Sequence, residues 1–198
     1  MLSSRMRIGF VPCYMRPMLA IRLAALTLVA CSDPASTPPD APVAIDAPAS
    51  SCEGACKVTG LTATFNSVQR SLDRAYFGIT RSASGATLHV EAYRGGGSGC
   101  PTQSSPTTDY TLVLGTVPMP IGMMPVTSPG NILDFVGDLL NGPLGAAATA
   151  VTITPVATDV CTTCTGTFLA VDTSITFAAG MITGHLYATH CDSLDEQQ

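Results

Sequence analysis

The sequence predicts an all-β domain over residues 52–198, folded as an antiparallel β-sandwich or a jelly-roll-like domain with one short helix and disulfides. Three observations favour this class. Short runs rich in β-branched and aromatic residues recur along the chain, turns containing Gly and Pro separate them, and six cysteines follow residue 51. A domain of this length buries about 70% of its unfolded surface, so it can form a core of its own.

The chain begins with a segment that has the composition of an export signal. Four arginines precede or adjoin an eight-residue apolar run at 23–30, and the segment contains no acidic residue. A bilayer-spanning helix needs about twenty residues, so the run is too short to be one. It ends in Leu28-Val29-Ala30-Cys31, which resembles the lipobox of bacterial lipoproteins. The resemblance implies that residues 1–30 are a signal peptide and that Cys31 carries lipid.

The resemblance also implies a place in the cell. Lipid on Cys31 would attach the protein to a membrane of the cell envelope, and Ser32 at the next position implies the outer membrane of a Gram-negative bacterium. Residues 31–51 are rich in Pro, Ala, Asp and Ser and poor in apolar residues. Such a composition stays extended, so we predict a disordered, semi-rigid tether between the lipid and the domain.

Seven segments of the domain have the pattern of β-strands. The clearest is 86–93, where three apolar residues alternate with His89, Glu91 and Tyr93. This alternation predicts a strand with one buried and one solvated face. The last two segments flank a short connection at 178–180 and predict a hairpin. The predicted strands cover residues 58–65, 74–80, 86–93, 110–117, 148–154, 166–177 and 181–190.

One segment, 131–140, has helical periodicity instead. Four of its apolar residues fall on one stripe of a helix, while Asp134 and Asp138 fall together on another face. Asn131 is a suitable N-cap, and Asn141-Gly142-Pro143 is a natural stop. We therefore predict a short helix that closes one end of the sandwich. The two aspartates alone are too few to form a cation site.

An even number of cysteines in an exported domain favours disulfides. The six are Cys52, Cys56, Cys100, Cys161, Cys164 and Cys191. A long-range bridge between Cys100 and Cys191 is expected because both residues lie at the ends of predicted elements. The two close pairs, at 52/56 and 161/164, suit local bridges. A bridge from one close pair to the other is an equally simple alternative, and the sequence does not choose between them.

Two other chemistries could use the same cysteines. The spacing of Cys161 and Cys164 is that of a thioredoxin-like redox pair, but a strand-like sequence follows them where such a pair needs a helix. Structural zinc would use both close pairs, with His185 or His190. An oxidising compartment favours disulfides over zinc, so we predict no metal and no cofactor.

Charge and motif content restrict the functions that fit. Four of the nine basic residues lie in the signal segment, so five basic against fourteen acidic residues give the mature chain a charge of −9. This charge excludes nucleic acid as a partner, because such binding requires clustered Lys and Arg. Metalloprotease, Walker A, dinucleotide and nucleophile-elbow motifs are absent.

We therefore expect a binding or structural module with a protein or glycan ligand. Its candidate aromatic contacts are Tyr93, Tyr110 and Tyr187, although cross-strand packing would also explain them. The alternative is a cell-surface hydrolase or metal-dependent enzyme that uses His185 and His190 with nearby carboxylates.

Overall fold

The computed structural model describes residues 51–83, 85–119, 121–160 and 167–197. They form ten β-strands and two short 3₁₀ turns, at Gly54–Lys57 and Asp192–Leu194. The strands are β1 (Gly60–Phe65), β2 (Val68–Leu72), β3 (Arg74–Ser82), β4 (Gly85–Arg94), β5 (Tyr110–Pro118), β6 (Gly130–Asp134), β7 (Gly145–Thr158), β8 (Phe168–Phe177), β9 (Gly180–His190) and β10 (Glu196–Gln197). In the part of the chain described, no helix has the length and hydropathy needed to cross a membrane.

Some predictions concern other parts of the chain. The signal peptide, the lipid attachment at Cys31 and nearly all of the tether lie outside the described residues, and so does the Cys161–Cys164 pair. Each of the seven predicted strands overlaps an observed one. The three strands that were not predicted are the short ones: β2, β6 and β10.

The all-β class is confirmed, but the architecture is a closed barrel and not a sandwich or jelly roll. Strands β3 to β9 follow one another around the barrel in antiparallel order. Parallel pairing of β3 with β9, from Ala75 opposite Ala188 to Phe77 opposite His190, closes it. Closure pairs the two edges of the sheet with each other, which removes the open edges that a sandwich would leave. The alternation of buried and exposed residues along single strands is the same in a barrel and in a sandwich, so it does not distinguish them.

Strand β9 divides one of its edges between two partners. Its first half pairs with β1, from Gly180 to His185, and its last residues pair with β3. Strands β1 and β3 therefore diverge around the middle of β9. There the hydroxyl of Thr59 donates to the carbonyl of Tyr187 (2.7 Å) and accepts from its amide (3.0 Å). These bonds satisfy backbone groups that neither neighbouring strand reaches.

The barrel interior is filled with aliphatic and aromatic side chains. Strand β4 has the predicted alternation, because Leu88, Val90 and Ala92 are buried inside while His89 and Glu91 lie on the outer face. The bulkiest fully buried side chains are Phe65, Phe77, Leu61, Leu72, Ile79, Leu88, Leu112, Leu114, Ile132, Leu139, Ile153 and Leu169.

The predicted helix at 131–140 is wrong. Gly130–Asp134 is a strand paired with both β5 and β7, and a series of bends follows it. The reason is Asp134, which is 2% exposed and accepts backbone hydrogen bonds from Gly137 (2.6 Å), Leu139 (2.8 Å) and Leu140 (2.8 Å). A buried carboxylate that binds its own following amides stabilises a compact loop and competes with a helix. The two leucines still close the barrel end, as the helix was expected to do.

Among the residues that the structure describes, two disulfides form, Cys52–Cys56 and Cys100–Cys191, and both are expected from the sequence. After Cys191 the chain turns and continues along β3 as β10. A Cβ on Gly78 would lie 2.1 Å from the Leu194 carbonyl oxygen, so only glycine permits this approach.

Candidate binding groove

The outer faces of β3 to β6 form a continuous surface. Cross-strand register places Arg74 beside Tyr93, Tyr93 beside Thr111, and Thr111 beside Leu133. The next row includes Tyr76, Glu91, Val113 and Asn131. These rows join residues from four strands, because neighbours across a sheet are set by register and not by distance along the chain.

The connection between β4 and β5, residues 95–109, folds back across this surface, and we call it the strap. The Cys100–Cys191 disulfide fastens it to the end of β9. The Ser193 hydroxyl donates to the carbonyl of Pro101, and the Tyr76 hydroxyl donates to the carbonyl of Ser98 (3.1 Å). Covalent and hydrogen bonds thus hold a loop rich in Gly, Pro, Ser and Thr over the sheet.

One side of the strap opens into a groove of about 380 Å³, which we call the main groove. Its floor includes Glu91, Tyr93 and Val113, and its far wall includes Leu133 and Phe135. Strap residues with hydroxyl groups and prolines form the near wall. Phe135 is 43% exposed, which makes its ring accessible to a ligand. Apolar and aromatic surface with a few fixed polar groups is typical of small-molecule sites.

Glu91 is the acidic centre of this surface. His89 contacts one of its carboxylate oxygens through Nε2 at 2.7 Å, and the Tyr93 hydroxyl donates to the other oxygen. The hydrogen bond to Glu91 raises the pKa of His89 despite partial burial, and the charges of Glu91 and Glu196 add to the effect. The three side chains occupy alternate positions of one strand, so the sequence pattern placed them on one face correctly.

A second cleft, of about 260 Å³, lies where β1 and β3 diverge from each other along β9. We call it the fork cleft. Residues that line it include Lys57, Arg74, Tyr76 and Tyr187. A narrow passage of about 20 Å³ under the strap, bounded by Arg74, Tyr76 and Tyr93, adjoins both clefts.

The three tyrosines proposed as ligand contacts have different positions. Tyr93 lines the main groove, and Tyr187 lines the fork cleft, where it stacks on Phe168 with ring centroids 5.8 Å apart. Tyr110 is 4% exposed, about as buried as Tyr93 at 5%, but it lines neither cleft. It donates to Asp138 (2.5 Å) and accepts from Arg70 (3.1 Å), and burial raises its pKa.

The structure does not bring His185 and His190 together. They lie five positions apart on β9, and an odd separation places them on opposite faces. His185 contacts Asp172 (2.8 Å) and the carbonyl of Cys56 (2.9 Å), which joins the first disulfide loop to the barrel. His190 contacts the ring of Phe77, with centroids 5.3 Å apart.

His190 also belongs to the only group of three potential metal ligands found within the described residues, with Asp192 and Asp195. Its Nε2 lies 3.0 Å from Asp195 and its Nδ1 lies 3.4 Å from Asp192. Asp195 also accepts the amide of Ile79 at 2.7 Å. His190, Asp192 and Asp195 thus contact one another, and Asp195 also binds β3 through Ile79. These contacts hold the C-terminal segment against β3 and account for why the three side chains lie close together.

The main groove and the fork cleft were not predicted from the sequence. Both depend on register and on the path of the strap, and no local motif encodes either. The chain matches no protein-family model, no curated protein and no solved structure. Function is therefore inferred from the site.

Proposed function

We propose that the protein is a lipid-anchored binding module of the bacterial envelope that holds a saccharide in the main groove. The observation that supports this most is the combination in one groove of exposed aromatic surface at Phe135, the hydroxyl-rich strap and the fixed carboxylate of Glu91. Sugars present apolar C–H faces and hydroxyl groups together, so they match a surface of this mixed kind.

The rigidity of the site also favours binding. Glu91 is held by two neighbours on its own strand, and the strap is fastened by Cys100–Cys191. A preorganised site loses less conformational entropy when a ligand binds. The Glu91 carboxylate can accept hydrogen bonds from sugar hydroxyls, while Phe135 offers a face for stacking.

The test is a binding screen of the full-length protein, purified in detergent, against a panel of oligosaccharides by calorimetry. Phe135→Ala should weaken binding about tenfold or more, since it removes a large aromatic contact. Met181→Ala is the matched control, because Met181 is 45% exposed on β9 and does not line the groove. Absence of binding to every oligosaccharide, or equal losses in both variants, would contradict the proposal.

Anchoring is the second part of the proposal, and it is supported by the lipobox-like Leu28-Val29-Ala30-Cys31 and the Pro-rich tether. Cells grown with labelled palmitate should incorporate it into the protein, and Cys31→Ala should abolish the label. A Cys31→Ala protein that still carries label would refute lipid attachment at this position. Fractionation should place the wild-type protein in the outer membrane.

A further inference from the structure

The fork cleft differs from the main groove in charge. Lys57 and Arg74 both line it, together with the rings of Tyr76 and Tyr187. Asp73 lines it too, but its carboxylate is bound by Arg94 at 3.1 Å. Lys57 is paired with Glu53, also at 3.1 Å. Arg74 is therefore the charge that sets the sign of the cleft.

Arg74, like Arg81, has no ion-pair partner among the described residues, but of the two only Arg74 lines the fork cleft. Three of the five basic residues in the described chain, Lys57, Arg70 and Arg94, contact a carboxylate within 3.1 Å. Arg74 has none, although the mature chain carries fourteen acidic residues. A half-buried arginine that lines a cleft and has no carboxylate partner of its own is suited to bind one from a ligand.

We infer that the fork cleft binds the carboxylate of an acidic saccharide, with Arg74 as its bidentate partner and Tyr187 as a stacking surface. The inference rests on the proposed saccharide function and names the class of sugar: one that contains a uronic acid. Planar carboxylates match the two parallel N–H groups of arginine. Lys57 adds a weaker positive charge at the same opening, because its pair with Glu53 is exposed and screened by solvent.

The closeness of the two clefts supports a chain-like ligand. The passage under the strap shares Arg74 and Tyr76 with the fork cleft, and Tyr93 with the main groove. It is too small for a sugar ring. A saccharide that occupies both clefts therefore passes outside this cavity, while Arg74 binds its acidic unit.

The experiment compares uronate-containing oligosaccharides with the same oligosaccharides after reduction of their carboxyl groups to alcohols. Binding to the full-length protein in detergent is measured by calorimetry. The acidic forms should bind about tenfold more tightly, which is the effect of one charge-assisted pair. Arg74→Gln should abolish the preference, and Arg74→Lys should restore only part of it because lysine lacks the bidentate geometry.

Arg81→Gln is the matched control, since it removes the same charge near the end of β3, and Arg81 does not line the cleft. Equal losses of affinity for the acidic oligosaccharides in Arg74→Gln and Arg81→Gln would overturn the inference. Such a result would indicate that only the overall charge of the protein matters.

Equal binding of acidic and reduced forms would also overturn it, while leaving the saccharide proposal intact. Failure of both forms to bind would overturn the two together. Lys57→Gln, in the opposite wall, should reduce the preference and provides a second variant if Arg74→Gln does not fold.

Discussion

At the residue scale, Asp134 illustrates how much depends on one buried carboxylate. It satisfies three amides of a loop that closes the barrel end. Asp134→Asn would replace one acceptor oxygen by an NH₂ donor directed at those amides. We expect it to lower the free energy of unfolding by about 3 kcal/mol, as loss of buried hydrogen bonds does, measured by urea denaturation.

Asp138, four residues later, provides the contrast. It contacts Arg70 at 2.5 Å and Tyr110 at 2.5 Å, and these two groups hold the pKa of its carboxyl below the ordinary value. The side chain is 41% exposed, so solvent screens the pair. Asp138→Asn should therefore shift the urea midpoint far less than Asp134→Asn does. Equal shifts would contradict the role assigned to the buried carboxylate.

His89 makes stability depend on pH. Because its folded pKa is raised, its contribution is fully present below the unfolded pKa of about 6.5 and is lost as pH rises through the folded value. His89→Gln should reduce the difference between the unfolding free energies measured at about pH 5.5 and about pH 8.5. An unchanged difference would show that Glu91 and Glu196 do not stabilise the imidazolium.

At the element scale, the two disulfides should stabilise the fold unequally. Cys100 and Cys191 are 91 positions apart, whereas Cys52 and Cys56 are 4 apart. Chain-entropy estimates give about 4–5 kcal/mol for the long loop and about 2 kcal/mol for the short one. Replacing both cysteines of each bridge with serine, one bridge at a time, should reproduce this order in urea denaturation. The reverse order would contradict it.

The elements also show what a sequence can and cannot predict. Strand β4 was predictable because its period of two persists over eight residues. Strand β6 was not predictable, because the apolar residues in it and in the following loop have the spacing of one face of a helix. Only the burial of Asp134 shows that the segment is not a helix. In the site, alternation placed Glu91 and Tyr93 on one face. Phe135 and Arg74 line their clefts only because of residues on other strands. Local sequence patterns do not show which strands become neighbours.

At the scale of the whole molecule, closure of the barrel requires contacts between distant parts of the chain. Strand β3 pairs with β9, although five other strands lie between them in the chain. Non-local β pairing of this kind folds slowly, so refolding with intact disulfides should take milliseconds to seconds. Stopped-flow tyrosine fluorescence would measure it, since the chain contains five tyrosines and no tryptophan. Relaxation in microseconds would contradict this expectation.

The bridge between Cys100 and Cys191 has a consequence for resistance to proteolysis. Five strands, β5 to β9, lie between the two cysteines, so this part of the chain is a covalent ring. A protease that cuts one exposed loop inside the ring, such as the loop at 121–129, opens it without separating the pieces. The nicked protein would run as one species on a gel until a reducing agent splits it. As long as this disulfide stays oxidised, a single cleavage in the ring would therefore leave the two pieces of the domain joined.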